Sequence, residues 1–122
     1  MSIPKIKTFE GACKALKLNP AKVVPIVKGM PKHHQDAIVA HAKLVIIADA
    51  LNGGWKPNWD NTNEWKYYPW FRMPGSGLAY FGYVRYCSSS DVGSRLCFKS
   101  RELAEYAGKQ FKKLYSQYFL LK

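Results

Sequence analysis

W-K-Y-Y-P-W-F-R-M-P-G-S-G-L-A-Y-F-G-Y-V-R-Y, residues Trp65–Tyr86, decides the fold of this 122-residue chain. Two runs rich in aromatic and β-branched residues flank Pro74–Gly77, and a P-G-S-G string between such runs is turn chemistry. The strand candidates are Trp65–Met73 and Leu78–Cys87, and a third, Ser94–Lys99, follows across S-S-S-D-V-G. Strands this close in sequence predict a three-stranded antiparallel meander. Pro69 has no N–H to donate, so it makes the first candidate an edge strand or splits it.

Helical periodicity lies on either side. Thr8 is placed to cap a helix running to about Leu18, with Phe9, Ala12, Cys13 and Leu16 on one stripe. Asn19-Pro20 ends it and starts a further turn through Val23 and Val24. Pro31 suits the first turn of the strongest helix, which runs to about Leu51 and stops at Asn52-Gly53-Gly54. Its main stripe is Ile38, Ala42, Val45, Ala48 and Leu51. Leu44, Ile46 and Ile47 widen that stripe almost to the whole circumference, as befits a central helix. Ser100 caps a last amphipathic helix to about Tyr118, striped by Leu103, Ala107, Phe111, Leu114 and Tyr118. The order is α-α-β-β-β-α: two N-terminal helices, a meander and a C-terminal helix, in one α+β domain over residues 1–122.

Composition narrows the function. Hydrophobic residues make up 48% of the chain, too many for a disordered one. The formal net charge is +11, from 19 Lys+Arg against 8 Asp+Glu, which favours an anionic partner. Nucleic acid comes first among such partners, and an acidic protein or a membrane surface next. Residues 1–32 carry a net +6 and residues 87–122 a net +4, so both ends supply the charge. The N-terminus M-S-I-P-K-I-K lacks the apolar core of a signal peptide. The longest apolar stretch, Leu44–Leu51, is less than half a membrane span. With Cys13, Cys87 and Cys97 leaving one thiol unpaired in any disulfide scheme, a reducing cytoplasm is the simplest location.

All four tryptophans (Trp55, Trp59, Trp65, Trp70) fall in or just before the first strand candidate, interleaved with cations. Strand alternation places Trp65, Tyr67, Phe71 and Met73 on one face and Lys66, Tyr68, Trp70 and Arg72 on the other. In the second strand it sets Leu78, Tyr80, Val84 and Tyr86 against Phe81, Tyr83 and Arg85. The third divides into Leu96 and Phe98 against Arg95, Cys97 and Lys99. These assignments hold as long as neither a bulge nor a break at Pro69 interrupts the alternation. One face is apolar and should take the C-terminal helix. The other carries Lys66, Tyr68, Trp70, Arg72, Phe81, Tyr83, Arg85, Arg95 and Lys99.

Rings flanked by cations on an open sheet hold stacked bases and phosphates of a single strand. On that reading Tyr68, Trp70, Phe81 and Tyr83 stack on bases while Lys66, Arg72, Arg85, Arg95 and Lys99 meet phosphates. Sequence-tolerant binding of single-stranded nucleic acid, DNA before RNA, is the leading expectation. Two alternatives stand beside it. The same residues would suit a protein-interaction module, such as an inhibitor of a host nucleic-acid enzyme or defence system. The face would instead be core if the N-terminal helices bury their apolar surface against it.

Other signals are weaker. His33, His34 and His41 lack the i, i+4 spacing of a zinc-binding helix, and there is no C-x-x-C, so neither metal nor other cofactor is expected. Ser100 has no G-x-S-x-G around it and reads as a helix cap, although Lys99, Ser100 and Arg101 at a helix start also suit a phosphate. Lys109, Lys112 and Lys113 read as a solvated helix face. No catalytic constellation is visible, and an enzyme is not expected.

Three strings carry a resemblance: Ala40–Trp59 (A-H-A-K-L-V-I-I-A-D-A-L-N-G-G-W-K-P-N-W), Asn63–Phe71 (N-E-W-K-Y-Y-P-W-F) and Val92–Phe111 (V-G-S-R-L-C-F-K-S-R-E-L-A-E-Y-A-G-K-Q-F). Together they resemble a family of small uncharacterised proteins encoded by gut anaerobes and their phages and prophages. The resemblance covers most of the chain. It implies a phage or mobile-element setting, hence a bacterial host cytoplasm, and implies no particular activity.

Overall fold

A computed structural model describes residues 5–75 and 77–121 and shows an α+β fold. Thr8, in extended conformation, accepts the Gly11 N–H on its hydroxyl at 3.0 Å and starts helix α1 (Phe9–Ala15). The helix is shorter than its sequence pattern, because Lys17 takes a left-handed φ of 59° that ends the run. Asn19 accepts the Ala21 N–H at 3.0 Å and opens the short α2 (Pro20–Val23), with Pro20 in the first position. Helix α3 (Lys32–Asn52) follows Pro31 and ends at left-handed Gly53, as the Asn52-Gly53-Gly54 stop predicts.

Strands β1 (Lys66–Arg72) and β2 (Ala79–Tyr86) form an antiparallel hairpin, and a Gly77 N–H to Pro74 C=O bond of 3.0 Å lies in its connection. Ser76, part of the predicted P-G-S-G turn, lies outside the described residues, as do residues 1–4 of the N-terminal stretch. The third strand of the expected meander is replaced. Ser94–Leu96 forms one 3-10 turn, and only Phe98 continues in sheet geometry, bridged to Tyr67. That bridge lies beside β1 and not β2, so the chain crosses back over the hairpin instead of meandering on. Both Tyr67 backbone groups bond to Phe98, which turns alternate residues of β1, Pro69 among them, toward the side away from β2. The N–H that Pro69 lacks is therefore one the hairpin ladder does not need.

The C-terminal helix is two helices, α4 (Arg101–Gln110) and α5 (Lys112–Phe119), broken at Phe111 with φ −110° and ψ 26°. Ser100 caps α4 through its hydroxyl, which accepts the Leu103 N–H at 3.2 Å. Beyond the break α5 turns along α3, and Tyr115 becomes its buried residue where the sequence stripe named Leu114 and Tyr118. The Tyr115 and Phe119 rings sit 5.1 and 5.7 Å from Phe71, tying α5 to the hairpin.

Helix α3 is central. It meets α1, α5, α4 and the 3-10 turn, and it buries Ala40, Leu44, Ile47, Ala48 and Leu51. Of the stripe expected for it, Ala48 and Leu51 are buried while Ile38, Ala42 and Val45 are only half-buried. A helix apolar on nearly all sides has little periodicity to orient it. Its end is pinned by buried Asn52, whose Nδ2 donates to Cys97 O at 2.9 Å and whose Oδ1 accepts the Lys99 N–H at 3.1 Å. Cys13 and Cys97 are buried free thiols; burial raises both above the ordinary thiol range, Cys97 to about 11. Among the described residues no helix is long and apolar enough to cross a membrane.

Helix α4 covers one face of the hairpin at very close range. A methyl group added at Gly108 would lie 2.7 Å from Pro69 Cβ and 2.8 Å from the Tyr80 ring. The α4 face therefore holds Tyr67, Pro69 and Phe71 of β1, with Tyr80 of β2 opposite Phe71.

Candidate functional site

The opposite face of the hairpin takes Lys66, Tyr68, Trp70 and Arg72 from β1, as simple alternation requires. In β2 alternation fails at one place. Trp70 pairs with Gly82 and Phe71 with Tyr80, so Phe81 is the extra residue of a β-bulge, beside Gly82 at a φ of 134°. From the bulge onward the predicted faces are exchanged. Tyr83 and Arg85 join the α4 side, where the Tyr83 ring lies 5.5 Å from the Arg101 guanidinium and Arg85 stacks 4.2 Å over Trp65. Val84 and Tyr86 join Phe81 on the other side, and Tyr86 stacks on Tyr68 at 6.2 Å.

Among the described residues this second face is not covered by the N-terminal helices: α1 packs on α3, and α3 packs on α5, α4 and the 3-10 turn. Loops cover one end of it. Tyr68 is buried to 2% exposure, and its hydroxyl donates to Asp91 Oδ2 at 3.3 Å. Burial first, then the Asp91 carboxylate, pushes its phenol far above the ordinary tyrosine range. Tyr68 is thus the bed beneath the surface and presents no ring for stacking.

Lys66 is also buried, at 1% exposure, and does not reach solvent. Its ammonium donates to the carbonyls of Asn58 (2.6 Å), Glu64 (2.9 Å), Cys87 (2.8 Å) and Asn61 (3.3 Å). The Glu64 carboxylate lies 3.3 Å away and the Trp59 ring 5.1 Å away. The polar loop before β1 is wound around this one charge. Glu64 in turn accepts the Asn58 N–H at 2.7 Å. That bond, followed by Lys66, holds its carboxyl below the usual range against the opposing effect of burial. The phosphate contact expected of Lys66 is therefore replaced by a structural role: a lysine beside three aromatics in sequence gives no sign of the carbonyls folded onto it.

The other end of the face is open. Trp70 is 44% exposed and Phe81 55%, whereas Tyr86, 42% exposed, lies at the opposite end of the face, paired with Lys66. Arg72 is exposed and its guanidinium lies 4.1 Å over the Phe81 ring, offering a cation already held against an aromatic plane. Of the nine residues named from sequence, the structure joins Trp70, Arg72 and Phe81 on one accessible surface with Tyr68 beneath. Tyr83 and Arg85 are on the α4 side, and Lys66 is interior. Arg95 is on the 3-10 turn at a separate cleft, and Lys99 lies beside the end of α3. Sequence parity assigned Tyr86 to the wrong face; the Phe81-Gly82 pair, a glycine inside a strand, was the signal for a bulge.

Among the described residues no three His, Cys, Asp or Glu side chains gather as a metal site. His33 and His34 pair with each other at 4.0 Å, and His41 stacks on Tyr118 at 4.6 Å.

No protein-family model, curated protein or solved structure matches this chain. What the surface can do rests on its own chemistry: exposed rings, a guanidinium held over one of them, and a strongly positive chain around them.

Proposed function

We propose that the open end of the hairpin face binds single-stranded nucleic acid, DNA in particular, with little sequence preference. The observation that carries the reading is the exposure of Trp70 and Phe81 on a sheet face that no helix covers among the described residues, with Arg72 stacked on Phe81. Trp70 and Phe81 offer π-faces that every base can use, with Tyr86 farther along the same face, and Arg72 neutralises a phosphate next to Phe81. Tyr68 and the bulge hold the platform from below, so its rings need little ordering on binding. The net charge of +11 adds long-range attraction that strengthens as salt falls.

Titration of the protein with a short thymidine oligonucleotide at low salt tests this through tryptophan fluorescence. Quenching that saturates, weakens with salt and is diminished in Trp70→Ala and Phe81→Ala supports the reading. Absence of quenching at low salt, or binding indifferent to both substitutions, refutes it. Capture of a protein partner that persists at moderate salt after nuclease treatment, and that needs the same rings, would place a protein interface there instead.

A further inference from the structure

A second concavity lies away from the hairpin face. It is a cleft of about 810 Å³ between the later turns of α3, the chain just after it, and the turn at Val92–Arg95. That is the size range of small-ligand sites. Asp49 and Asn52 line it from α3, Trp55 and Lys56 from the following segment, and Val92 and Arg95 from the facing turn.

Its walls are fixed by side-chain hydrogen bonds. Asn52 spends both ends of its amide on the Cys97–Lys99 segment, joining the two walls at the base. Ser90 Oγ accepts the N–H groups of Val92 and Gly93 at 3.0 and 2.8 Å, and Trp59 Nε1 donates to Ser94 Oγ at 2.6 Å. The charges in the cleft are uncommitted. Lys56 and Arg95 are exposed, and neither makes an ion pair among the described residues; nor does Asp49. Two free cations and an indole in one cleft suit a phosphate attached to a planar ring. The Asp49 carboxylate repels phosphate and accepts from an amino or hydroxyl group, which favours a ligand with such a donor away from its anionic end.

We propose that this cleft is a binding site for a phosphorylated nucleoside, either free or at the 5′ end of a single strand. Lys56 and Arg95 take the phosphate, the base lies along Trp55, and Asp49 accepts from a base amino or sugar hydroxyl group. The site is separate from the hairpin face and does not depend on it.

Calorimetric titration with deoxyadenosine monophosphate, with deoxyadenosine as the control, tests the proposal. The monophosphate should bind with a dissociation constant below about 1 mM, and the nucleoside at least about tenfold more weakly. The double substitution Lys56→Gln/Arg95→Gln should weaken the monophosphate by about tenfold or more, with an unchanged thermal midpoint because both side chains are exposed. Trp70→Ala/Phe81→Ala should leave it unchanged, so failure of the hairpin reading and failure of this one are told apart. A 5′-phosphorylated oligonucleotide that competes with the monophosphate better than its 5′-hydroxyl counterpart identifies a strand end as the source; no competition by either identifies the free nucleotide, and equal competition by both overturns the proposal, since the two share only backbone diesters. No binding of the monophosphate at millimolar concentration, equal binding of the nucleoside, or indifference to the charge-removing pair would overturn it.

Discussion

Replacing Lys66 by methionine should remove a large part of the stability of this domain. The stem is kept in shape while the charge is lost. Four carbonyl oxygens and the Glu64 carboxylate lie within 3.3 Å of the ammonium nitrogen, so the substitution orphans several acceptors at once. Removing one partner of a buried ion pair costs about 3–5 kcal/mol, because the other charge is left uncompensated. The Asn58–Glu64 loop is near the surface and regains some water, which puts the expected loss at the lower end, about 3 kcal/mol. A domain of this kind has about 5–15 kcal/mol in total, so the denaturant midpoint should fall steeply. Urea unfolding followed by far-UV circular dichroism measures it, with the slope checked for constancy. Arginine should fail to rescue, since its planar fork of donors does not match carbonyl acceptors on both flanks of the hairpin. A loss under about 1 kcal/mol at unchanged slope would refute the assignment of Lys66 as the organising charge of this loop.

Four further outcomes follow from the same geometry. Trp70→Ala and Phe81→Ala should each weaken oligonucleotide binding by about 1–3 kcal/mol per lost stack, with unfolding midpoints close to the parent. Arg72→Gln should lower the slope of log affinity against log salt by about 0.7, the value for one single-strand phosphate contact, in titrations at several salt concentrations. Gly108→Ala should destabilise in thermal melts. The added methyl meets Pro69 and Tyr80 at 2.7–2.8 Å, and overpacking of about 1–3 kcal/mol outweighs the gain of about 1 kcal/mol in helix propensity. Glu64 has its folded-state pKa below the ordinary 4.5, so its contribution is present above that pH and is lost as pH falls through the folded value. Acid titration of the parent should therefore show a stability decline below about pH 4.5 that is smaller in Glu64→Gln.

Caps and stops were legible because each is a local event. Thr8, Asn19, Ser100 and Gly53 occupy the cap positions that their side chains or backbone freedom fit them for. The hairpin was legible for the same reason, with its turn string lying between two aromatic runs. What the sequence hid was long-range. The Ser94–Lys99 segment has strand-like alternation, yet Asn52 and Tyr67 claim its backbone for a bridge beside β1, and nothing near residue 94 in sequence announces a partner 45 positions away. The break at Phe111 falls within an unbroken amphipathic stripe and is imposed by where α5 must lie against α3 and Phe71. For the candidate site, β1 was read correctly because its alternation is unbroken. One inserted residue at Phe81 exchanged every assignment beyond it in β2.

That bulge also explains why the open surface exists. Without it, Phe81 would not be the extra residue beside Arg72, and Tyr83 and Arg85 would emerge on the second face with Tyr68 and Trp70. The bulge sends Tyr83 under the rim of α4, where Arg101 covers it, and sends Arg85 onto Trp65. Helix α4 then seals its side so tightly that only glycine fits at position 108. On the opposite side the loops anchored by Lys66 and Asp91 close over Tyr68 and stop short of Trp70. Folding has thus used the aromatic cluster unequally: Tyr68 and Phe71 are packed, while Trp70, Phe81 and Tyr86 on the second face keep two-fifths or more of their surface in water, as does Trp65 under Arg85 on the α4 side. Three large rings left wet on one small face, with a guanidinium already stacked on one of them, is an arrangement the core does not require. Binding a flat, negatively charged polymer would give each of those features a use.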